Sequence, residues 1–267
     1  MPSPLDFADL PFLRDALLEL VLLGIAGGIL GAWIVLRRLA FFSHAVGSAT
    51  FPGLVAADAS GVSPTLAGVA VALGYAGGVE RAGRAGREPS EATALLLVAC
   101  LAGGVVLASD VFESGAAVDR LLFGTLLGLD GIDLALSAAA AALATIATLT
   151  LGRAWAALTF DPESAGTLGL PAGVADFLLL ALVAVAAVAA IPAVGVLLVT
   201  AIYVLPAAAA RLVAGSVPAL IGWALALALA EGVLGLYLAY WLDVPPGPPV
   251  ALLGAATYLV MSLVTRR

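Results

Sequence analysis

The chain alternates long apolar stretches with short polar breaks, and most of its charges fall in the breaks. Nine apolar runs can be drawn, over residues 17–36, 39–57, 63–80, 92–108, 133–151, 175–191, 194–213, 217–242 and 249–265. A spanning helix needs about 20 mostly apolar residues, so each run predicts one membrane crossing. The second and third runs are the weakest, because Ser43, His44, Ser48, Pro52 and Pro64 interrupt them. Eight spans plus a re-entrant or broken element would fit almost as well. Gly61 and Pro64 predict a tight turn between the second and third runs, and the PPGPP stretch at 245–249 a stiff one between the last two. The expected fold is all-α: a polytopic membrane protein of eight or nine transmembrane helices forming one domain over residues 1–267.

Composition supports this class. The chain is 63% hydrophobic and 11% charged, against about 45–50% and about 25% in soluble domains. Apolar surface on that scale suits a bilayer, where helices satisfy their own backbone. The 30 glycines fit too, since small residues let membrane helices approach closely. Asp6, Asp9 and Asp15 make the start acidic rather than basic, so no cleavable signal peptide is expected. Cys100 is the lone cysteine and reads as a small packing residue. The formal charge of −7 argues against a nucleic-acid partner.

Charge placement gives the topology. Nine of the eleven arginines (Arg37, Arg38, Arg81, Arg84, Arg87, Arg153, Arg211, Arg266 and Arg267) fall at ends of runs that can all share one side. Positive loops stay in the cytoplasm, so the N-terminus is expected outside and the C-terminus inside. The outer loops then hold Asp6, Asp9, Asp15, Asp58, Asp110, Glu113, Asp119, Asp130, Asp133 and Asp243 against only Arg14 and Arg120. Such a face can concentrate cations, or it can simply lack arginine. Within the outer loop 109–132, the stretch LLFGTLLGL at 121–129 is apolar but too short to cross, and predicts an interfacial or dipping helix.

The largest inner loop carries Phe160, Asp161, Pro162, Glu163, Ser164, Ala165, Gly166, Thr167, Leu168, Gly169, Leu170 and Pro171. Asp161 suits an N-cap and Pro162 a first helical turn. Glu163 complements the positive end of the helix dipole, and Gly169 and Pro171 stop the helix about two turns later. A short capped helix on the inner face can receive a push from an external motor, or serve as a connector.

Four stretches now make the chain resemble the membrane permease subunits of ATP-binding-cassette importers for zinc and manganese. They are GGILGAWIVLRRL at 27–39; LFGTLL at 122–127; the succession FDP (160–162), LGLP (168–171), VGVLLVTA (194–201) and LPAAAAR (205–211); and DVPPGP at 243–248. They recur in the family's order and cover nearly the whole chain. The resemblance implies a type II importer permease in the bacterial plasma membrane, in contact with membrane lipid. It implies a homodimer that binds an ATPase subunit dimer and receives substrate from an extracytoplasmic binding protein. The helix at 161–170 would be the coupling helix, its Asp161, Pro162, Glu163, Ser164, Ala165, Gly166, Leu168 and Gly169 meeting the ATPase.

One departure stands out. The family carries an Asp and, four residues on, a His just after the arginine pair, facing the pathway and able to hold a divalent metal. Here those positions are His44 and Ser48. The spacing still sets both on one helix face, and neutral imidazole is a good zinc ligand. One His and one hydroxyl make a poor site alone, but a two-fold dimer would bring two of each to a shared axis. His44 reads equally as a polar side chain packed at an interfacial end. Glu231 lies well inside the eighth run, where a carboxylate costs about 2.5–3.5 kcal/mol on insertion scales. It can face the substrate pathway or hydrogen-bond a neighbouring helix. Asp58 and Asp243, at outer ends of runs, can line an entrance or serve as solvated caps.

No phosphate-binding Gly-x-x-x-x-Gly-Lys loop is present, and the chain has no lysine. ATP and magnesium are therefore expected on a partner subunit, with no cofactor in this chain, and the chain is expected to be a permease rather than an enzyme. The substrate pathway is expected to involve His44, Ser48, Glu231, Asp58 and Asp243, with His44 the candidate metal ligand for zinc, manganese or iron. The competing reading is an ATP-independent secondary transporter or channel; a membrane-embedded enzyme is disfavoured by the shortage of acid–base and metal ligands.

Overall fold

The computed structural model describes residues 11–111, 124, 129–161, 172–196 and 198–265. Ten helices occupy them, with no strand among the described residues: α1 (Pro11–Leu36), α2 (Ala40–Ala49), α3 (Phe51–Ser60), α4 (Pro64–Arg84), α5 (Pro89–Val111), α6 (Gly131–Phe160), α7 (Ala172–Val194), α8 (Val199–Arg211), α9 (Val217–Leu242) and α10 (Gly247–Thr265). Seven segments among the described residues are long and apolar enough to cross a membrane: α1, the α2–α3 pair, α5, α6, α7, α9 and α10.

The second run is broken, as its polar interruptions suggest. Helix α2 stops at Thr50, whose hydroxyl donates to the Gly47 carbonyl at 2.6 Å, and Pro52 begins the next turn as α3. Gly61 then ends α3 in the left-handed region (φ 70°), and Pro64 opens α4. Helix α4 has the length of a span, but Glu80, Arg81 and Arg84 crowd its last turns.

The seventh run departs from expectation. A continuous span over 194–213 is replaced by a 13-residue helix, α8. The cause is local: Gly195 takes φ 77° and closes α7 by donating its N–H to the Ile191 carbonyl at 2.8 Å. Helix resumes at Val199, where α8 begins. At about 1.5 Å per residue α8 is about 20 Å long, short of the hydrocarbon thickness. Helix α6 errs the other way. The fifth run was expected to end at 151, but α6 continues through Arg153 to Phe160 and reaches 30 residues.

Helix α1 runs through the middle of the bundle, packed against α6, α7, α8 and α9. Its close approaches need glycine. A β-carbon on Gly28 would strike the backbone of Leu225 in α9, and one on Gly31 would strike the Tyr203 carbonyl in α8. The burial pattern separates centre from rim. In α1 and α7, 72% of the spanning window is buried, against 17% in α5. The outward side of α5 shows Leu95, Val98, Val105 and Val106, and that of α10 shows Leu252, Leu259, Val260 and Leu263. Those surfaces belong in lipid.

Two ends of the bundle are recognisable. At one, Arg37 pairs with Asp176 at the start of α7, and Arg84 with Glu80 one turn before it. At the other, Asp130 caps α6 by accepting from the N–H groups of Ile132 and Asp133, each at 2.9 Å, while Asp133 accepts from the Asp130 N–H at 3.3 Å. Thr65 at the start of α4 donates to Asp133 at 3.2 Å. Two of the acids assigned to the outer rim are thus engaged in helix capping.

Candidate substrate route and inner-face coupling segment

His44 and Ser48 sit one turn apart on α2, as the i, i+4 spacing requires. His44 is exposed in the single chain and Ser48 is half-buried. The His44 Nδ1 lies 3.2 Å from the Thr200 hydroxyl, on the second residue of α8. Sequence reasoning quoted Thr200 only as part of a stretch; its place opposite His44 follows from the Gly195 turn, which the apolar run concealed. Non-helical backbone at membrane depth is tolerated where protein buries it or where it lines a cavity. Gly195 and Val196 are buried, so here protein covers it.

His44 of α2 thus meets the Thr200 hydroxyl at the start of α8, with Ser48 one turn further along α2. Among the described residues, no three His, Cys, Asp or Glu side chains come together to hold a metal ion. Zinc sites take at least three protein ligands, so a single chain offers an incomplete ligand set here.

Glu231 is 5% exposed, on α9. Its Oε2 lies against Gly254 of α10, and Thr257 of the same helix stands beside the carboxylate. Its Oε1 has no hydrogen-bond partner. The structure therefore sets Glu231 between α9 and α10, a different helix pair from His44 and Ser48. Asp243 is exposed and ends α9 with φ 52°, its N–H bonded to the Ala239 carbonyl, which is a capping role. The backbone of Asp58 belongs to the last turns of α3; its side chain lies outside the described residues.

A second intramembrane acid was not anticipated. Glu19 is fully buried on α1, accepting from the Ser137 hydroxyl of α6 at 2.6 Å, with Oε2 unpartnered. The signal was present, a carboxylate inside an apolar run. The first run was drawn from residue 17, whereas α1 begins at Pro11, which sets Glu19 well inside the helix.

On the inner-loop side, Asp161 ends α6, its N–H donating to the Ala157 carbonyl at 2.7 Å. Residues 162–171, and with them the expected capped helix, lie outside the described residues. So do 121–123 and 125–128 of the expected dipping helix; Gly124 is described, and its backbone is buried against the Val194–Gly195 turn. The base of the inner loop is held from both sides. Trp155 of α6 donates its indole N–H to the Ala175 carbonyl of α7 at 2.9 Å. Trp33 of α1 meets Trp155 edge-on, with centroids 5.4 Å apart, and donates to the Thr148 hydroxyl at 3.1 Å. These contacts join α1, α6 and α7 where α6 ends and α7 begins.

Comparisons with known proteins agree with this architecture. Residues 9–265 match the family model described as the ABC 3 transport family. A manganese transport system membrane protein of Halalkalibacterium halodurans is 28% identical over 253 residues, covering 92% of this chain and 85% of its own length. A manganese import system permease protein of Streptococcus gordonii is 27% identical over 255 residues, with coverage of 94% and 91%. Among solved structures, PsaBC from Streptococcus pneumoniae in complex with Fab contains a chain that superposes with a TM-score of 0.83 at 25% identity, covering 97% of this chain and 95% of that one.

Proposed function

The chain belongs to the ABC 3 transport family, and on that basis we propose that it is the membrane permease of an importer for divalent metal, with manganese the first candidate. The relatives named for manganese transport support the substrate class. The observation that carries the reading onto this chain is the approach of His44, one turn from Ser48 on α2, to Thr200 at the start of α8. Two copies related by a two-fold axis would pool two imidazoles and four hydroxyls, and so complete a ligand set that one copy lacks.

The seven strongly apolar segments, together with α4 and the short α8, give nine crossings. The arginine-rich end faces the cytoplasm, the N-terminus lies outside and the C-terminus inside, in a bacterial plasma membrane. Residues 1–267 form a single permease domain. Residues 161–170 act as the coupling helix, docked on a separate ATPase dimer that binds ATP and magnesium. Trp155 and its bond to Ala175 carry the resulting motion into the bundle. An extracytoplasmic binding protein delivers the metal to the outer face. Glu231, Asp58 and Asp243 complete the proposed route on its way through the bundle.

The test is metal uptake in cells carrying the permease with its neighbouring ATPase. His44→Ala should lower manganese uptake on the order of tenfold or more while the ATPase still copurifies. Undiminished uptake would remove His44 from the route. Absence of any ATPase from a detergent-extracted complex would favour a secondary carrier instead.

A further inference from the structure

At the arginine-rich end lies an open cavity of about 300 Å³ whose lining includes Phe41, Phe42, Leu179, Arg37, Arg38 and Arg84. The transport reading makes no use of it. Three guanidiniums meet two carboxylates there. Arg37 is paired with Asp176 and Arg84 with Glu80. Arg38 is exposed and has no carboxylate within ion-pair distance among the described residues. The Arg37 Nη1 is buried and lacks a hydrogen-bond partner. The cavity thus carries one uncompensated positive charge and an unspent donor.

The backbone adds a second observation. Helix α1 closes with the Leu39 N–H bonded to the Ile34 carbonyl at 2.8 Å, which forces Arg38 to φ 58°. That closing position is ordinarily glycine's, since a side chain there is strained. An arginine is kept where glycine would fold more easily. This strained residue lines the cavity.

We propose that this cavity binds the phosphate of an anionic phospholipid. Arg38 and Arg37 grip the phosphate through their planar forks, the geometry that guanidinium offers to phosphate oxygens. Phe41, 44% exposed, receives the adjoining apolar part of the lipid. Arg38, which precedes His44 by a short stretch of chain, would repel a cation leaving toward the cytoplasm, and a resident lipid phosphate cancels that charge. Selectivity for a net anionic headgroup follows, because a choline headgroup brings its own positive charge. The proposal does not depend on which metal is carried.

The experiment uses the full permease in detergent, delipidated and then titrated with phosphatidylglycerol, phosphatidylcholine or inorganic phosphate, with bound lipid and melting temperature measured. Phosphatidylglycerol should be retained and should raise the melting temperature, while phosphatidylcholine and inorganic phosphate should not. Arg38→Gly relieves the strained backbone, so it should melt no lower without lipid than the parent. It should nevertheless retain phosphatidylglycerol about tenfold less well, the loss expected for one charge-assisted contact. Arg87→Gln, outside the cavity, should retain it fully. Equal retention of the two lipids, full stabilisation by inorganic phosphate, or unchanged retention in Arg38→Gly would each overturn the proposal.

Discussion

Glu19 and Glu231 are the two least exposed carboxylates among the described residues, and each has one oxygen without a hydrogen-bond partner. Glu19 spends one oxygen on the Ser137 hydroxyl across the α1–α6 contact. Removing that hydroxyl leaves a sealed carboxyl with no donor, a change that costs about 1–3 kcal/mol. Ser137→Ala should therefore lower thermal stability in detergent, and adding Glu19→Met should recover most of the loss, because the polar need disappears with the polar group. A double variant no more stable than Ser137→Ala would show that the bond is not what matters. At the proposed route the expectation is opposite in kind. Ser48→His adds an imidazole one turn from His44 and restores the residue that the family carries there. Uptake should then saturate at a lower manganese concentration; an unchanged half-saturation would detach Ser48 from the cargo.

At the scale of helices, the run pattern located the elements but not all of their ends. Gly61, Pro64 and the PPGPP stretch announce their turns, because φ-restricted and left-handed residues act locally. The Gly195 turn was not legible, since glycine is common throughout this chain and nothing local distinguishes this one. The α6 overhang was hidden for another reason: Arg153 looked like a boundary, although it is exposed on an uninterrupted helix. The family resemblance singled out His44 and Ser48, and their spacing sets them on one helix face, whereas Thr200 required the fold to bring α8 opposite α2. One element-level prediction follows from the indole clamp. Trp155→Phe keeps a ring but loses the bond to Ala175, at a cost of about 1–3 kcal/mol. In the assembled importer ATP hydrolysis should persist while metal uptake per ATP falls; an unaltered ratio would show that the clamp transmits nothing.

For the whole molecule, Arg37, Arg38 and Arg84 converge with Glu80 and Asp176 on one end of the bundle. Which compartment that end faces is open to direct measurement. A cysteine at Glu163, in a chain with Cys100→Ala, should react with a membrane-impermeant maleimide in inverted vesicles and resist it in intact cells. Labelling from the outside would reverse the topology and remove the coupling assignment with it.

The thirty-residue α6 measures about 45 Å, against a hydrocarbon layer of about 30 Å. Roughly ten residues of it must therefore stand clear of the acyl chains, and Trp155, five residues from its end, anchors that projection to protein rather than to headgroups. The coupling proposed above would then be insensitive to the thickness of the membrane. Lipids of different chain length should change how fast the permease works far more than how much fuel each ion consumes.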